Sequence, residues 1–222
     1  MTTAVILAAG KSERMGAGVD KAFLSLLNKP VIAWSLIAFE RSAAVDAIVL
    51  VTRKDQIDAS KAVARMFGIS KLKCVVAGGS KRQESVKAGL AVVDNNTKYV
   101  VVHDGARPLV DSATVTETVE ALKKAPAVTV GRRMTDTVKR VERGTSVVET
   151  VDREKLWIVQ TPQAFHLKTL LSAYAKLGKT TVTDDCQAVE LAGEQVRIIE
   201  SRRPNFKITV PEDLQLAAAL LK

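Results

Sequence analysis

Histidine, cysteine and aromatic residues are scarce in this chain, and each shortage removes a class of function. Two histidines and two cysteines in 222 residues leave no Cys/His ligand set for a structural zinc and no disulfide framework. Cys74 falls in an apolar strand pattern and reads as core, and Cys186 reads as a helix residue rather than a nucleophile. Aromatics make up 4% of the chain, too few to stack a run of bases. Nucleic acid is therefore set aside as a partner despite a net charge of +9. No apolar run approaches the roughly 20 residues that span a bilayer. The opening Met-Thr-Thr enters a strand pattern without the layout of a signal peptide. The expectation is a cytoplasmic protein with no membrane association. At 47% hydrophobic content, residues 1–222 are expected to bury one large core as a single domain.

What the chain does have is a regular alternation of strand and helix patterns. Apolar, β-branched runs fall at Ala4–Leu7, Ala47–Thr52, Leu72–Val76, Tyr99–Val102 and Val128–Val130. Helical patterns lie between them at Val31–Arg41, Gln56–Met66, Arg82–Val93 and Ala113–Lys123. Continuous apolar strands in a β-α-β order predict an α/β fold, a mostly parallel sheet with helices on both faces. The rhythm breaks at about 132–159, where two short β-prone pieces flank Glu142-Arg143-Gly144-Thr145. That segment predicts a polar-faced β-hairpin that projects as an arm and needs something to pack against. Helices over Leu167–Lys176, Asp185–Ala192 and Pro211–Leu221 and a strand over Val196–Glu200 complete the chain. Trp34 lies in a helical apolar stripe and reads as core.

Chemistry-bearing residues gather where strands end. The first strand runs into Ala8-Ala9-Gly10-Lys11-Ser12-Glu13-Arg14-Met15-Gly16, with Lys21 close behind. Small residues let backbone N–H groups approach an anion, and the two cations add charge at the same bend. An ordinary surface turn is the bland alternative. The turn is neither a P-loop nor a dinucleotide fingerprint, because Val5 stands where the first needs glycine and Ser12 and Met15 where the second does. A second anion-friendly turn, Gly78-Gly79-Ser80-Lys81-Arg82-Gln83-Glu84-Ser85, follows the Leu72–Val76 strand. The Tyr99–Val102 strand runs into His103-Asp104-Gly105-Ala106-Arg107-Pro108. Asp104 and Arg107 either serve a divalent metal and a phosphorylated ligand or simply pair and cap the next helix. Lys207, between Phe206 and Ile208, is expected to be partly buried and so to meet an anion.

No Ser-His-Asp spacing is evident, which suits a reaction needing no general base. Attack of a phosphate monoester on a nucleotide α-phosphorus is such a reaction, since the second phosphate pKa lies near ~6. The protein's part is then alignment and charge neutralisation. The opening loop, Lys21, His103 to Pro108, Thr150-Val151-Asp152-Arg153, Gln160 to Phe165, Thr183-Asp184-Asp185 and Asn205 to Thr209 together resemble the 2-C-methyl-D-erythritol 4-phosphate cytidylyltransferase family. The resemblance follows the family's motif order over almost the whole chain.

It implies a Rossmann-like fold of the nucleotide-diphospho-sugar transferase type and transfer of CMP from CTP to methylerythritol phosphate, with Mg²⁺. By that resemblance Arg14 and Lys21 stabilise charge at the α-phosphate, and Ala8, Ala9, Gly10, Lys11, Ser12 and Gly16 wrap the triphosphate. Gly79, Ser80, Arg82 and Ser85 meet cytosine and ribose, Asp104 lies by the metal, and Gly105 lies beside the nucleotide. Lys207 and Arg153 position the acceptor phosphate, helped by Arg107, Thr137, Thr161 and Thr183. It also implies a homodimer through the hairpin arm, with Arg153, Thr137 and Thr161 serving the partner's site. The chain departs from the family pattern at Asp20, where proline usually precedes the lysine, and at Lys11-Ser12-Glu13, which replaces a second glycine. Ribitol-5-phosphate or other sugar-phosphate transfer, and non-catalytic nucleotide or RNA binding, are the alternative readings.

Overall fold

The computed structural model describes residues 1–10, 15 and 20–222. The expectations placed on Lys11, Ser12, Arg14 and Gly16 therefore lie outside the described residues. The chain opens with β1 (Thr2–Ala8), a tight pair β2 (Ser25–Leu26) and β3 (Lys29–Pro30), then α1 (Val31–Arg41), β4 (Ala47–Thr52) and α2 (Ile57–Met66). It continues through β5 (Leu72–Ala77), α3 (Arg82–Leu90), β6 (Tyr99–Asp104), α4 (Ser112–Glu120) and β7 (Ala127–Arg133). The hairpin strands β8 (Val138–Val141) and β9 (Val147–Val151) lead into β10 (Trp157–His166), α5 (Leu167–Lys176), α6 (Asp185–Leu191), β11 (Val196–Glu200) and α7 (Pro211–Leu220).

Seven strands form one sheet in the order β11-β7-β10-β6-β1-β4-β5. The central strands carry apolar residues on both faces because helices cover both. Ile6, Ile48, Leu50 and Val101 pack toward Leu36 and Phe39 of α1. Val5, Val49, Val51 and Val102 pack toward Val86 of α3 and Leu170 and Tyr174 of α5. Parallel pairing of β1 with β4 and β6 sets Val5 level with Val49 and Val102, so the carboxyl ends of these strands open at one edge.

The sheet departs from the expected pattern at β10. This ten-residue strand lies between β6 and β7 and runs antiparallel to both. The periodicity gave no strand there, because Gln160, Thr161, Pro162 and Gln163 interrupt an apolar run. The register shifts between Gln160 and Gln163, which accommodates the proline (its Thr161–Pro162 bond is cis). These polar residues are buried, and bonds from remote segments hold two of them: Gln163 Nε2 donates to Thr129 Oγ1 at 3.1 Å, and Asn205 Nδ2 donates to the Thr161 carbonyl at 2.8 Å. Trp34 is half-buried rather than core, its Nε1 donating to the Leu26 carbonyl at 3.2 Å.

The predicted hairpin is present as a separate two-stranded sheet. The helix expected over Arg82–Val93 ends at Leu90. Within that helix Gly89 lets α3 sit directly on β1, for a Cβ there would stand 2.4 Å from Val5 Cγ1. Gly89→Val is expected to destabilise the fold by about 1–3 kcal/mol through overpacking. Urea denaturation checks this as a lowered midpoint at unchanged slope.

Candidate active site

The open edge of the sheet carries two adjoining clefts. One is lined by Ala8, Ala9 and Gly10 after β1, by Lys21, and by Gly79, Ser80, Arg82 and Ser85 at the start of α3. The other is lined by Arg107, Gln160, Thr161, Gln163, Thr183 and Asp184. Arg82, Asp104 and Lys207 line both and form the wall between them.

Asp104 is the centre of that wall. It is the last residue of β6, and its backbone N–H donates to Thr161 Oγ1 on β10 at 3.0 Å. Lys207 Nζ donates to its Oδ2 at 2.9 Å, Arg82 Nε donates to its Oδ1 at 3.3 Å, and Arg107 Nε stands 3.7 Å from Oδ2. Burial alone would raise the carboxyl pKa, but Lys207, Arg82 and Arg107 outweigh it and hold the group well below the usual carboxylate range. The anion that meets Lys207 is thus Asp104; Asp104 and Arg107 do pair, but the cap of α4 falls to Asp111, whose Oδ1 accepts from the Thr114 N–H at 2.7 Å. Arg107 also donates from Nη1 to the Asn205 carbonyl at 2.8 Å, which ties the tail segment to the strand end. The Ile208 N–H completes that tie at the Ala106 carbonyl, 2.8 Å away.

The Gly78–Ser85 turn behaves differently from the expectation. Glu84 reaches back so that the Ser80 N–H, the Ser80 hydroxyl and the Lys81 N–H donate to its Oε2 at 2.7, 2.9 and 3.1 Å. Those three hydrogen bonds, the Ser80 hydroxyl first, lower the Glu84 pKa. The donors that read as anion-friendly are already bonded to the chain's own carboxylate. The Gly79 N–H donates to Ser85 Oγ at 3.2 Å, so Ser85, nearly buried, braces the turn from below.

Asp20, standing in place of a proline, accepts from the Ala22 N–H at 3.1 Å and lies 3.9 Å from Arg53 Nη1. Burial pushes its carboxyl up, and the Ala22 N–H and Arg53 offset part of that rise. Asp20 therefore pins the turn by capping where proline would do so by ring constraint.

Two expectations are corrected by position. Thr161, expected to serve the partner's site, lies buried on β10 and lines the second cleft of its own chain, where it bonds Asp104 and His103. Gly105 is buried against the sheet and does not line the cleft; a Cβ there would stand 2.4 Å from Ile32 Cδ1. Arg153 and Thr137 are exposed on the arm and line neither cleft, Arg153 donating to the Thr135 carbonyl at 2.6 Å. Thr183 does line the second cleft, with its hydroxyl donating to Gln187 Oε1 at 3.1 Å. Sequence reasoning gave no site role to Asn205 or Gln163 beyond their motifs, and none to Tyr174. Their signal is a polar or aromatic residue inside an apolar pattern, which only the assembled sheet explains.

His103 is fully buried and lines neither cleft. Its Nδ1 shares a 3.0 Å hydrogen bond with Thr161 Oγ1, and Phe39 packs with ring centroids 5.0 Å apart. Burial drives its pKa down from 6.5 to about 3, with Asp104 opposing and Arg107 and Lys207 assisting.

A mostly parallel sheet with paired clefts at its strand ends, sharing one carboxylate and its cations, defines a nucleotidyltransferase. The comparisons with known proteins narrow that class. The family model for 2-C-methyl-D-erythritol 4-phosphate cytidylyltransferase matches residues 2–222, and the chain belongs to that family. The enzyme of that name from Halalkalibacterium halodurans is 42% identical over 219 residues, covering 98% of this chain and 95% of the relative. That from Alkaliphilus metalliredigens is 38% identical over 222 residues, covering 99% and 92%. Among solved structures, the 4-diphosphocytidyl-2C-methyl-D-erythritol synthase of Anaerococcus prevotii superposes with a TM-score of 0.89 at 31% identity, covering 99% of this chain and 95% of that one.

The buried neutral His103 has a measurable consequence. Between pH 6.5 and about 3 the unfolded chain binds a proton there that the folded chain does not. Its contribution to stability is therefore complete above pH 6.5 and is lost as the pH falls, by about 1.4 kcal/mol per unit. In denaturation series between about pH 6 and pH 4.5, His103→Asn should show a slope shallower than the parent by close to one proton. An unchanged slope would mean that His103 is not held neutral.

Proposed function

We propose that the two clefts hold the two substrates of the family's reaction and that their shared wall is where the groups meet. The chain is a nucleotidyltransferase that moves the CMP unit of CTP onto the phosphate of 2-C-methyl-D-erythritol 4-phosphate, giving 4-diphosphocytidyl-2-C-methyl-D-erythritol and pyrophosphate, in the non-mevalonate route to isoprenoids. The observation that carries the assignment of clefts is the Arg82–Asp104–Lys207 wall.

CTP fits the first cleft, whose small residues Ala8, Ala9 and Gly10 admit phosphates and whose Gly79–Ser85 turn offers a ledge for the nucleoside. The acceptor fits the second, with Lys207 between its phosphate and the α-phosphorus. One acceptor oxygen bonds to the α-phosphorus as the bond to the pyrophosphate oxygen breaks, and the pair leaves with pyrophosphate. The acceptor phosphate is already ionised, and the buried His103 is not needed as a base. Lys21, with Arg14, offsets the charge that spreads over the transferring group.

Among the described residues no group of three or more His, Cys, Asp or Glu could hold a metal ion, and Asp104 already faces three cations. A magnesium ion therefore fits only with phosphate oxygens as most of its ligands and Asp104 as its one protein carboxylate. When bound it would neutralise charge on the triphosphate.

The arm supports a homodimer. Val141, Val147 and Val148 are 48%, 57% and 48% exposed on a hairpin that packs as a sheet of its own. Arg153 and Thr137, distant from the clefts of their own chain, then reach the acceptor cleft of the partner. On this reading residues 1–222 form one catalytic domain with an arm at about 132–159. Water-soluble phosphorylated substrates suit a cytoplasmic enzyme, and no described helix is long and apolar enough to cross a membrane.

Pyrophosphate release from CTP and Mg²⁺ should occur with methylerythritol phosphate and not with ribitol 5-phosphate; the reverse would move the acceptor assignment. Lys21→Ala should lower kcat about 10²–10³-fold with the fold intact. Mixing inactive Lys21→Ala with Arg153→Ala subunits should restore part of the activity. Mixed dimers that stay inactive would show that each chain builds its own site.

A further inference from the structure

Asp185 carries a carboxyl group, is fully buried and is absent from both clefts. It follows Asp184, which already caps α6 by accepting from the Gln187 N–H at 2.8 Å. A second acid is not needed for the cap, and an ionisable side chain without solvent needs another explanation. The surroundings supply one. Arg82 Nη1 lies 2.8 Å from Asp185 Oδ2, and the Tyr174 hydroxyl of α5 donates to Asp185 Oδ1 at 2.5 Å. The Asp185 N–H donates to Gln163 Oε1 at 3.2 Å, and Gln163 is itself held by Thr129 on β7. Asp185 is thus held by Tyr174 and Gln163, and its remaining oxygen is given to Arg82.

Arg82 is the guanidinium of the wall between the clefts. One edge nitrogen, Nε, faces Asp104 and another, Nη1, faces Asp185, so the planar group spans two carboxylates on opposite sides. Without Asp185 the geometry changes in a definite way. A guanidinium beside a single carboxylate turns to meet it with two parallel bonds. Arg82 would then close on Asp104 and compete with Lys207 for the same oxygens. The second carboxylate keeps Arg82 stretched across the wall and leaves Asp104 Oδ2 to Lys207 and Arg107.

We propose that Asp185, clamped by Tyr174, is a positioning residue that sets the orientation of Arg82 between the nucleotide and acceptor clefts. Burial raises the Asp185 carboxyl, and Arg82 and Tyr174 hold that rise back. Asp185 and Asp104 in turn drive the Arg82 guanidinium up against its own burial, which keeps it charged. The proposal rests on the assignment of CTP to the first cleft.

The test is a double-mutant cycle read by calorimetric binding of CTP with Mg²⁺, which needs no turnover, with kcat/KM measured alongside. Asp185→Asn should weaken CTP binding about tenfold in the parent and by less than about twofold in an Arg82→Gln background. A merely structural Asp185 would lower the melting temperature but leave the dissociation constant of the folded protein unchanged. Parent-like binding by Asp185→Asn, or an equal loss in both backgrounds, would overturn the proposal. If Asp185→Asn does not fold, Tyr174→Phe takes its place in the same cycle. It should weaken binding about threefold only where Arg82 is present, and parent-like binding would again overturn the proposal. A parent protein that binds no CTP would instead overturn the assignment of the cleft.

Discussion

The Asp104 carboxylate, ringed by three cations from three different segments, is the contact on which the site depends. Arg82 comes from the start of α3, Arg107 from the turn after β6 and Lys207 from the tail before α7. A buried ion cluster is weak evidence for stability, because desolvation offsets much of the Coulomb gain. Removing one partner is another matter, costing about 3–5 kcal/mol where a buried charge is left uncompensated. The cluster therefore acts as a joint. It fixes where three remote pieces of chain meet, and the two clefts are the spaces left on either side of it.

Around that joint several loop groups are bonded within the chain before any ligand arrives. Glu84 occupies the donors of the Gly78–Ser85 turn, Asp20 caps the turn that begins at Lys21, and Thr161 receives the Asp104 N–H. Each contact fixes a loop whose residues would otherwise have many conformations to lose on binding. The walls of both clefts are in this sense built in advance.

Much of this was legible in the sequence because it rests on local patterns. Helix α1, strand β4 and helix α5 coincide with their apolar periods, since burial in the core demands those periods, and the exposed edge strand β11 falls on its own β-branched run. Charged and glycine residues at strand ends marked Asp104 and Arg82, for an open α/β sheet binds there, and Lys207 stood out by its apolar neighbours Phe206 and Ile208. Strand β10 was illegible because its central polar residues are buried by partners far away in sequence, so no local period reveals it. Asp185 and Tyr174 were hidden for a related reason. An acid in the first turn of a helix and an aromatic on an apolar helix face have ordinary explanations, and only the fold sets them against Arg82.

The arm has a topological meaning that its polar faces conceal. Strands β7 and β10 are antiparallel neighbours in the sheet, so everything between Arg133 and Trp157 is an elaborated hairpin loop. Closing a longer loop is thermodynamically mild, about 0.6 kcal/mol for each doubling of length. The arm can therefore drift in length and sequence, or be exchanged between relatives, while the strands that carry the site stay in register. The tip of the hairpin can thus be redesigned without disturbing the strands that line the two clefts.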